Sequence, residues 1–249
     1  MNEQVRHPYR LEDMTEPSGA AAEGRSVFTR PAKPPRRQPG LSRDRIVEAS
    51  IALLDREGPA SLTMRKVAAE LGVHATSLYW HVERREDLVD LAVDHVLAPE
   101  AAAPLAQLDW DATVREVACR LYAAFTRHPW AALFAGTRPA IGPNALVLAG
   151  QLISALAATG ATERDQAIAG TAVSNFVLGA ATAAAGAQAM GPSDPESPQA
   201  KEVFARVSAV AETPDSHRVW QSFFDEGLDL LLTGIHARLD AKDAGSGGS

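Results

Sequence analysis

The fold is decided by the stretch LTMRKVAAELGVHATSLYWHV, which runs from Leu62 to Val82. Thr63 is a good helix N-cap, and apolar residues follow it at helical spacing. Gly72 can end that helix at little cost, because glycine adopts the left-handed conformation without a steric penalty. A second short segment comes next. The stretch therefore predicts two short helices joined at a glycine, the second being a reading helix at about Val73–His81.

Helical patterns flank this stretch on both sides. Ser42 is a good N-cap for a longer helix that Gly58-Pro59 ends, and another apolar-periodic segment begins at Arg85. Two short helices joined through a glycine and packed on a longer first helix make a helix-turn-helix. Many helical hairpins share this spacing, so it favours a DNA-binding domain at residues 41–98 without proving one.

Charge is divided unevenly along the chain. The net charge is −7, yet residues 30–85 hold 11 cations and 6 acids, whereas residues 86–249 hold 10 cations and 20 acids. A basic block on an acidic body is typical of a DNA-contacting domain joined to a second domain. Two solvated surfaces of unlike charge explain the same numbers equally well.

A family resemblance separates these alternatives. The quoted stretch, with Arg85-Glu-Asp-Leu88 after it, closely resembles the DNA-binding domain of the tetracycline-repressor (TetR/AcrR) family, and Leu-Tyr-Trp-His-Val at 78–82 is its most specific part. Further segments resemble the ligand-binding domain of the tetracycline repressor's own branch: HPW at 128–130, GTRP at 136–139, GPN at 142–144, NFVLG at 175–179 and FFDEGLDLLL at 223–232. The resemblance implies an all-α fold. A three-helix helix-turn-helix domain would be followed by a helical ligand-binding and dimerisation domain at 105–240.

The reading helix should place its N-terminal residues on base edges in the major groove. Those residues are His74, Ala75, Thr76 and Ser77. None of them is a strong bidentate reader, whereas Arg65 on the preceding helix could pair with guanine. The resemblance also places a base-contacting arginine there. A plain phosphate contact is the alternative for Arg65.

Other predicted DNA contacts go to phosphates. The resemblance assigns this role to Tyr79 and His81. Thr63 and Arg85 lie near helix N-termini, where backbone N–H groups and the helix dipole favour phosphate. Trp80 is expected to pack and seat the reading helix rather than contact DNA.

Both ends of the chain have the composition of disordered segments. Residues 1–40 hold few apolar side chains and many Pro, Gly and charged ones, which predicts a disordered N-terminal arm. Its basic end could lie in the minor groove through Lys33, Arg36 and Arg37, with an inert tether as the alternative. Residues 241–249 are expected to form a flexible tail.

The resemblance also locates an effector pocket in the second domain. Thr137, and plausibly Gln151, match polar groups of the tetracycline pocket, but Phe134 stands where that repressor has a magnesium-holding histidine. We therefore expect an apolar pocket without metal. Its candidate lining residues, each of which could equally be ordinary core, are Val117, Leu121, Phe125, Trp130, Phe134, Thr137, Gln151 and Phe176.

Two helices are expected to pair two copies of the chain. Small residues recur along 162–190, and a long apolar stripe follows Ser216. The resemblance implies a four-helix dimer interface, which would also suit a palindromic operator, whereas intrachain core is the alternative. The residues expected in that interface are Ala172, Gly179, Ala183, Phe223, Phe224 and Leu231.

These features predict a transcriptional regulator, most simply a repressor released from double-stranded DNA by a small, largely apolar effector. An activator on the same fold is not separable by sequence. The chain shows no catalytic triad order, phosphate-cradling glycine loop or metal-ligand spacing, so we expect no enzyme, cofactor or metal site. Cys119 is the only cysteine, and no uninterrupted apolar run reaches the roughly 18 residues of a membrane span. We expect a cytoplasmic homodimer with no membrane contact.

Overall fold

The computed structural model describes residues 26–30, 41–98, 108–190 and 216–246. These residues form helices and connecting turns with no β-strand among them, so the predicted all-α fold is confirmed. A 3-10 turn spans Pro59–Ser61. The α-helices are α1 (Arg43–Glu57), α2 (Met64–Glu70), α3 (Ala75–Leu78), α4 (Arg85–Val96), α5 (Trp110–Arg127), α6 (Pro129–Ala135), α7 (Pro143–Ala157), α8 (Glu163–Met190) and α9 (Ser216–Ser246).

Local signals set most helix boundaries where the sequence predicts them. Ser42, Thr63 and Asp109 occupy the N-caps of α1, α2 and α5, and each side-chain oxygen accepts the backbone N–H three residues further on. Each cap satisfies one of the donors that a helix start leaves without a partner. Gly58 and Gly72 have φ values of 77° and 65°, a region that other residues enter at a cost.

Helices α1 to α4 form one small unit, the reading head. Its centre consists of apolar side chains that are essentially inaccessible to solvent: Ile46, Leu53, Leu62, Val67, Leu78, Val82 and Leu88. Helix α4 packs on α1 within the head and on α6 and α7 outside it. It is therefore a direct mechanical link between the head and the rest of the chain.

The second unit is built on three helices that pack against one another, α5, α7 and α8. Helix α9 lies along α8, and α6 fills the space between α8 and α4. Buried Val114, Val117 and Ala118 make α5 the innermost wall of this unit. We call it the effector domain.

Three predicted boundaries differ from the structure. Helix α3 is a single turn rather than a helix over Val73–His81, because the chain bends after Leu78 to bury both Leu78 and Val82. Helix α9 continues to Ser246, past the predicted end at residue 240. Residues 26–30 form a turn packed on α4, so the prediction of disorder was wrong for them. The predicted minor-groove residues Lys33, Arg36 and Arg37 lie outside the described residues.

Helix α8 is long and apolar enough over Glu163–Ala187 to cross a membrane by length and composition alone. Scattered polar residues interrupt the apolar runs of α8 and yet leave its mean hydropathy high, so a criterion based on uninterrupted runs does not find it. Its packing against α5, α7 and α9 is that of the central helix of a helical domain.

Candidate DNA-reading face and effector core

Helices α2 and α3 are held in place by buried apolar side chains, which leaves their outer face to solvent. Val67 and Leu78 are inaccessible to solvent, and they hold the two helices against the head. The chain then presents polar and aromatic groups outward. His74, Thr76, Tyr79 and Trp80 are exposed, whereas Ala75 and Ser77 are half-buried. Of the predicted base-facing residues, the structure therefore leaves His74 and Thr76 open to solvent and Ala75 and Ser77 partly so.

Arg65 differs from its cationic neighbours. Lys66 donates to Glu57 at 2.7 Å, and Arg56 pairs with Glu57 and Glu70. The exposed Arg65 side chain has no hydrogen-bond or ion-pair partner within the part of the chain that the structure describes. An unpaired guanidinium keeps all its donors available for a base or a phosphate.

Two expectations about this face need correction. Trp80 is 53% exposed, so it does not seat the reading helix, which Leu78 does instead. The Arg85 guanidinium donates to the carbonyl oxygens of Leu62 and Pro59 at 2.9 and 2.8 Å. Arg85 therefore ties α4 to the 3-10 turn and holds the head together rather than pointing at phosphate.

His81 is half-buried, which is intermediate between an exposed DNA-contacting residue and a core residue. Its Nε2 atom is buried and has no hydrogen-bond partner among the described residues. Burial, followed by the nearby positive charge of Arg43, lowers the pKa of His81, so the ring favours its neutral form. Arg43 also donates to the His81 carbonyl oxygen at 3.3 Å. Its predicted phosphate contact would need the ring to move outward.

Sequence reasoning missed a stripe of buried carboxylates on α4. Asp87, Asp90 and Asp94 follow one another at spacings of three and four residues and are all buried. Acids at this spacing share one helix face, and that spacing within an otherwise apolar helix was the available signal. Burial opposes ionisation of Asp87, but hydrogen bonds from Arg30 and from the Glu83 backbone outweigh it and lower the pKa of Asp87.

The far end of the stripe belongs to the effector domain. Asp94 accepts from the Asn144 side chain at 3.1 Å and from the Ala145 backbone N–H at 3.0 Å. Gly142 lies directly against the Asp94 side chain, where a Cβ would collide with it. The GPN segment at 142–144 is thus the place where α7 begins on α4.

A second tie joins the two units at Asp55 on α1. Its Oδ1 atom lies 2.6 Å from the Trp130 indole nitrogen, which donates to it, and 2.8 Å from His128 Nδ1. Both partners lie at the α5–α6 junction of the effector domain. The HPW segment therefore contacts the reading head through two ring nitrogens.

The predicted pocket residues fall into three environments. Val117, Phe125 and Trp130 are nearly inaccessible, at 1 to 5% exposure, and belong to the core as the structure stands. Four others, Leu121, Phe134, Gln151 and Phe176, are half-buried. Thr137 is exposed, and its hydroxyl donates to the carbonyl oxygens of its own preceding helix, which removes it from a pocket lining.

Gln151 is the polar exception within this group. Its side-chain oxygen is buried and accepts no hydrogen bond from the described residues. A buried acceptor without a donor costs about 1 to 3 kcal/mol. An arriving hydrogen-bond donor would remove that cost.

A cavity of about 690 Å³ lies on the other side of α5. Its walls come from α1, the end of α4 and the face of α5 that carries Glu116, Arg120 and Ala124. Val117 and Phe125 on the same helix are buried in the core and do not line this cavity. The described part of this cavity therefore shares no residue with the predicted pocket.

The predicted interface residues are divided between surface and core. Gly179 and Ala183 are exposed, and Ala172, Phe223 and Leu231 are half-buried. Phe224 is 1% exposed and stacks on Tyr122 with ring centroids 3.9 Å apart. Phe224 is thus intrachain core, which corrects its assignment to the interface. Leu230, which was not predicted, is 76% exposed.

Comparisons with known proteins place the two units in one family. The profile described as "Bacterial regulatory proteins, tetR family" matches residues 46–92, and "Tetracyclin repressor-like, C-terminal domain" matches residues 103–239. An HTH-type transcriptional regulator of Saccharopolyspora erythraea is 38% identical over 216 residues, 85% of this chain and 92% of that protein.

Solved structures agree with this placement. ActR of Streptomyces coelicolor, solved with actinorhodin, superposes with a TM-score of 0.59 at 28% identity, covering 80% of this chain and 97% of that one. BioQ with its double-stranded DNA operator gives a TM-score of 0.53 at 25% identity, covering 79% and 99%. The chain belongs to the TetR family of bacterial transcriptional regulators.

Proposed function

We propose that the protein is a dimeric repressor that binds a palindromic operator through α2 and α3 and leaves it when a small effector binds. The observation that supports DNA binding is the exposure of Arg65 on α2, which has no partner among the described residues, and of Thr76 and Tyr79 on and directly after α3, which packs on α2. A guanidinium reads guanine bidentately in the major groove, and a phenol hydroxyl can donate to phosphate. The solved relative with its operator supports the same use of the head.

The proposed dimer is supported by the solvent-exposed faces of α8 and α9. Gly179 and Ala183 leave α8 smooth along its exposed side, and Leu230 places a large apolar side chain on the exposed side of α9. Exposed apolar area of this kind is stabilised by burial against a second copy. A two-fold pair of heads is also what a palindromic site requires.

The effector half is supported by Gln151. Its unsatisfied oxygen lies on α7 among largely apolar neighbours, so the proposed effector is an apolar molecule carrying one hydrogen-bond donor. Phe176 and Leu121, both half-buried, are the apolar residues proposed for the pocket lining. The solved relative with a bound small molecule supports effector control in this fold. The described residues include no group of three or more His, Cys, Asp or Glu suited to a metal.

The decisive experiment is selection of bound DNA from a random duplex pool by the purified full chain. We expect enrichment of a palindrome whose half-sites lie about one helical turn apart, roughly 10 base pairs or slightly more. If no sequence is enriched at moderate salt, the proposal fails. Arg65→Ala should relax one position of the selected site, whereas the control Arg56→Ala, which removes the same charge from an exposed ion pair, should preserve the site.

Dimerisation can be tested separately by analytical ultracentrifugation. Leu230→Glu places a charge on the proposed interface and should yield monomers. Leu133→Glu makes the same change at a 55% exposed leucine on α6 and should leave the dimer intact. Dimers in the Leu230→Glu protein would remove α9 from the interface.

A further inference from the structure

The carboxylate stripe on α4 is held from two directions. Asp94 is bound by the effector domain, through Asn144 and Ala145. Asp87 accepts the backbone N–H groups of Glu83 and Arg84, which caps the start of α4. Buried carboxylates are costly unless their oxygens are satisfied, so the partners of each one constrain where α4 can lie.

Further partners come from residues 26–30, a turn we call the N-terminal clasp. Arg30 pairs with Asp87 and, at 2.5 Å, with Glu83. The Ser26 hydroxyl donates to Asp90 Oδ2 at 2.6 Å. Phe28 lies beside Phe134 around a small cavity next to the α6–α7 loop. The clasp precedes the segment that the family profile matches, which begins at residue 46.

Asp90 is the joint between the clasp and the effector domain. Ser26 binds one of its oxygens, and Arg138 donates to the other at 2.7 Å. The side chain of Asp90 is only 5% exposed. Loss of either partner would leave a buried, partly unsatisfied carboxylate, and α4 would have to shift to bring in water. The two contacts therefore act on α4 through one group.

We propose that the N-terminal clasp is a positioning element that sets the orientation of the reading head by fixing α4 to the effector domain through Asp90. This rests on the proposed operator binding. The two heads of a dimer bind successive half-sites only when both have the right orientation. A less constrained α4 therefore lowers the fraction of dimers that can bind the operator. The clasp thereby controls DNA affinity without touching DNA.

The test measures operator affinity by fluorescence anisotropy, using the selected palindrome and full-length protein. Ser26→Ala and Arg30→Gln should each weaken binding by about 3- to 10-fold, the size expected from one lost buried hydrogen bond. The control Arg56→Gln removes an equal charge from an exposed ion pair and should keep wild-type affinity. Thermal melting confirms that each variant is folded at the assay temperature. Unchanged affinity in both clasp variants overturns the proposal.

Salt dependence separates positioning from contact. If Arg30 bound a phosphate, Arg30→Gln would reduce the slope of log affinity against log salt by about 0.9. If Arg30 acts only through the clasp, Arg30→Gln lowers the operator affinity and leaves this slope unchanged. A reduced slope therefore overturns the proposal in favour of a DNA-contacting arm.

A double-mutant cycle tests the joint at Asp90. Because Ser26 and Arg138 act on one carboxylate, the Ser26→Ala/Arg138→Gln double variant should bind the operator more tightly than the product of the two single effects predicts. If the loss of affinity in the double variant equals the product of the two single losses, Ser26 and Arg138 act independently and Asp90 is not the joint.

If the wild-type protein itself selects no DNA, the proposed function fails. If the wild type binds and the clasp variants bind equally well, only the clasp fails.

Discussion

Replacement of Phe224 by alanine should destabilise each subunit rather than the pairing of subunits. The ring is buried, stacks on Tyr122 at 3.9 Å and lies 5.7 Å from the Phe176 ring. Removal of a fully buried phenylalanine costs about 4 kcal/mol. For an effector domain of this size the melting temperature should fall by roughly 8 to 16 °C. Tyr122 should also become more mobile, since it loses its stacking partner and keeps only the hydrogen bond from its hydroxyl to the Trp220 carbonyl at 3.2 Å.

The assay is urea unfolding followed by far-UV circular dichroism at low and at high protein concentration. The loss caused by Phe224→Ala should be the same at both concentrations, because the ring packs within its own subunit. The neighbouring Phe223→Ala is the control, since Phe223 is only half-buried and contacts Trp220 edge-on. Its loss should be smaller and should shrink on dilution, because an interface contact contributes only where subunits are paired. A Phe224→Ala loss below about 1 kcal/mol, or one that changes with concentration, would refute the intrachain assignment.

Further predictions concern the reading face and α4. Tyr79→Ala should weaken binding to all DNA sequences alike, and Arg65→Ala should cost about 1 to 3 kcal/mol of discrimination at one base pair, both measured on a panel of single-base operator variants. Gly142→Ala should lower the melting temperature because its Cβ collides with Asp94, whereas the same change at the uncrowded Gly150 should not. Ionised Asp87 should stabilise the fold above about pH 4 and lose that contribution as pH falls through its lowered folded pKa. The stability difference between wild type and Asp87→Asn, followed by thermal melting against pH, should therefore shrink toward acid, and a constant difference would contradict this assignment.

The reading head was the more predictable half because its signals are local. The cap at Thr63 and the positive φ of Gly72 depend on residues next to them in sequence, and both lie where the stretch 62–82 predicted them. The length of α3, in contrast, does not depend on neighbouring residues alone. Leu78 and Val82 must both enter the core, and that requirement ends the helix before the pattern does.

Distant partners account for the remaining errors. Arg85 looks like a phosphate ligand until its guanidinium is seen on carbonyl oxygens more than twenty residues earlier in the chain. Phe223 and Phe224 are adjacent apolar residues, and their spacing alone does not indicate which of them packs within its own subunit and which faces a second one. Acids such as Asp90 are treated as solvent-exposed by default, because their partners Ser26 and Arg138 are far away in sequence.

The tie at Asp55 gives the protein a built-in optical reporter. Trp130 is the deeply buried tryptophan of the described residues, and its indole nitrogen donates to a carboxylate on the neighbouring unit. Indole emission responds to a hydrogen-bonded charge and to contact with water. Separation of the head from the effector domain would therefore shift the emission of Trp130 without any added dye. The same residue that fastens the two units would show when they part.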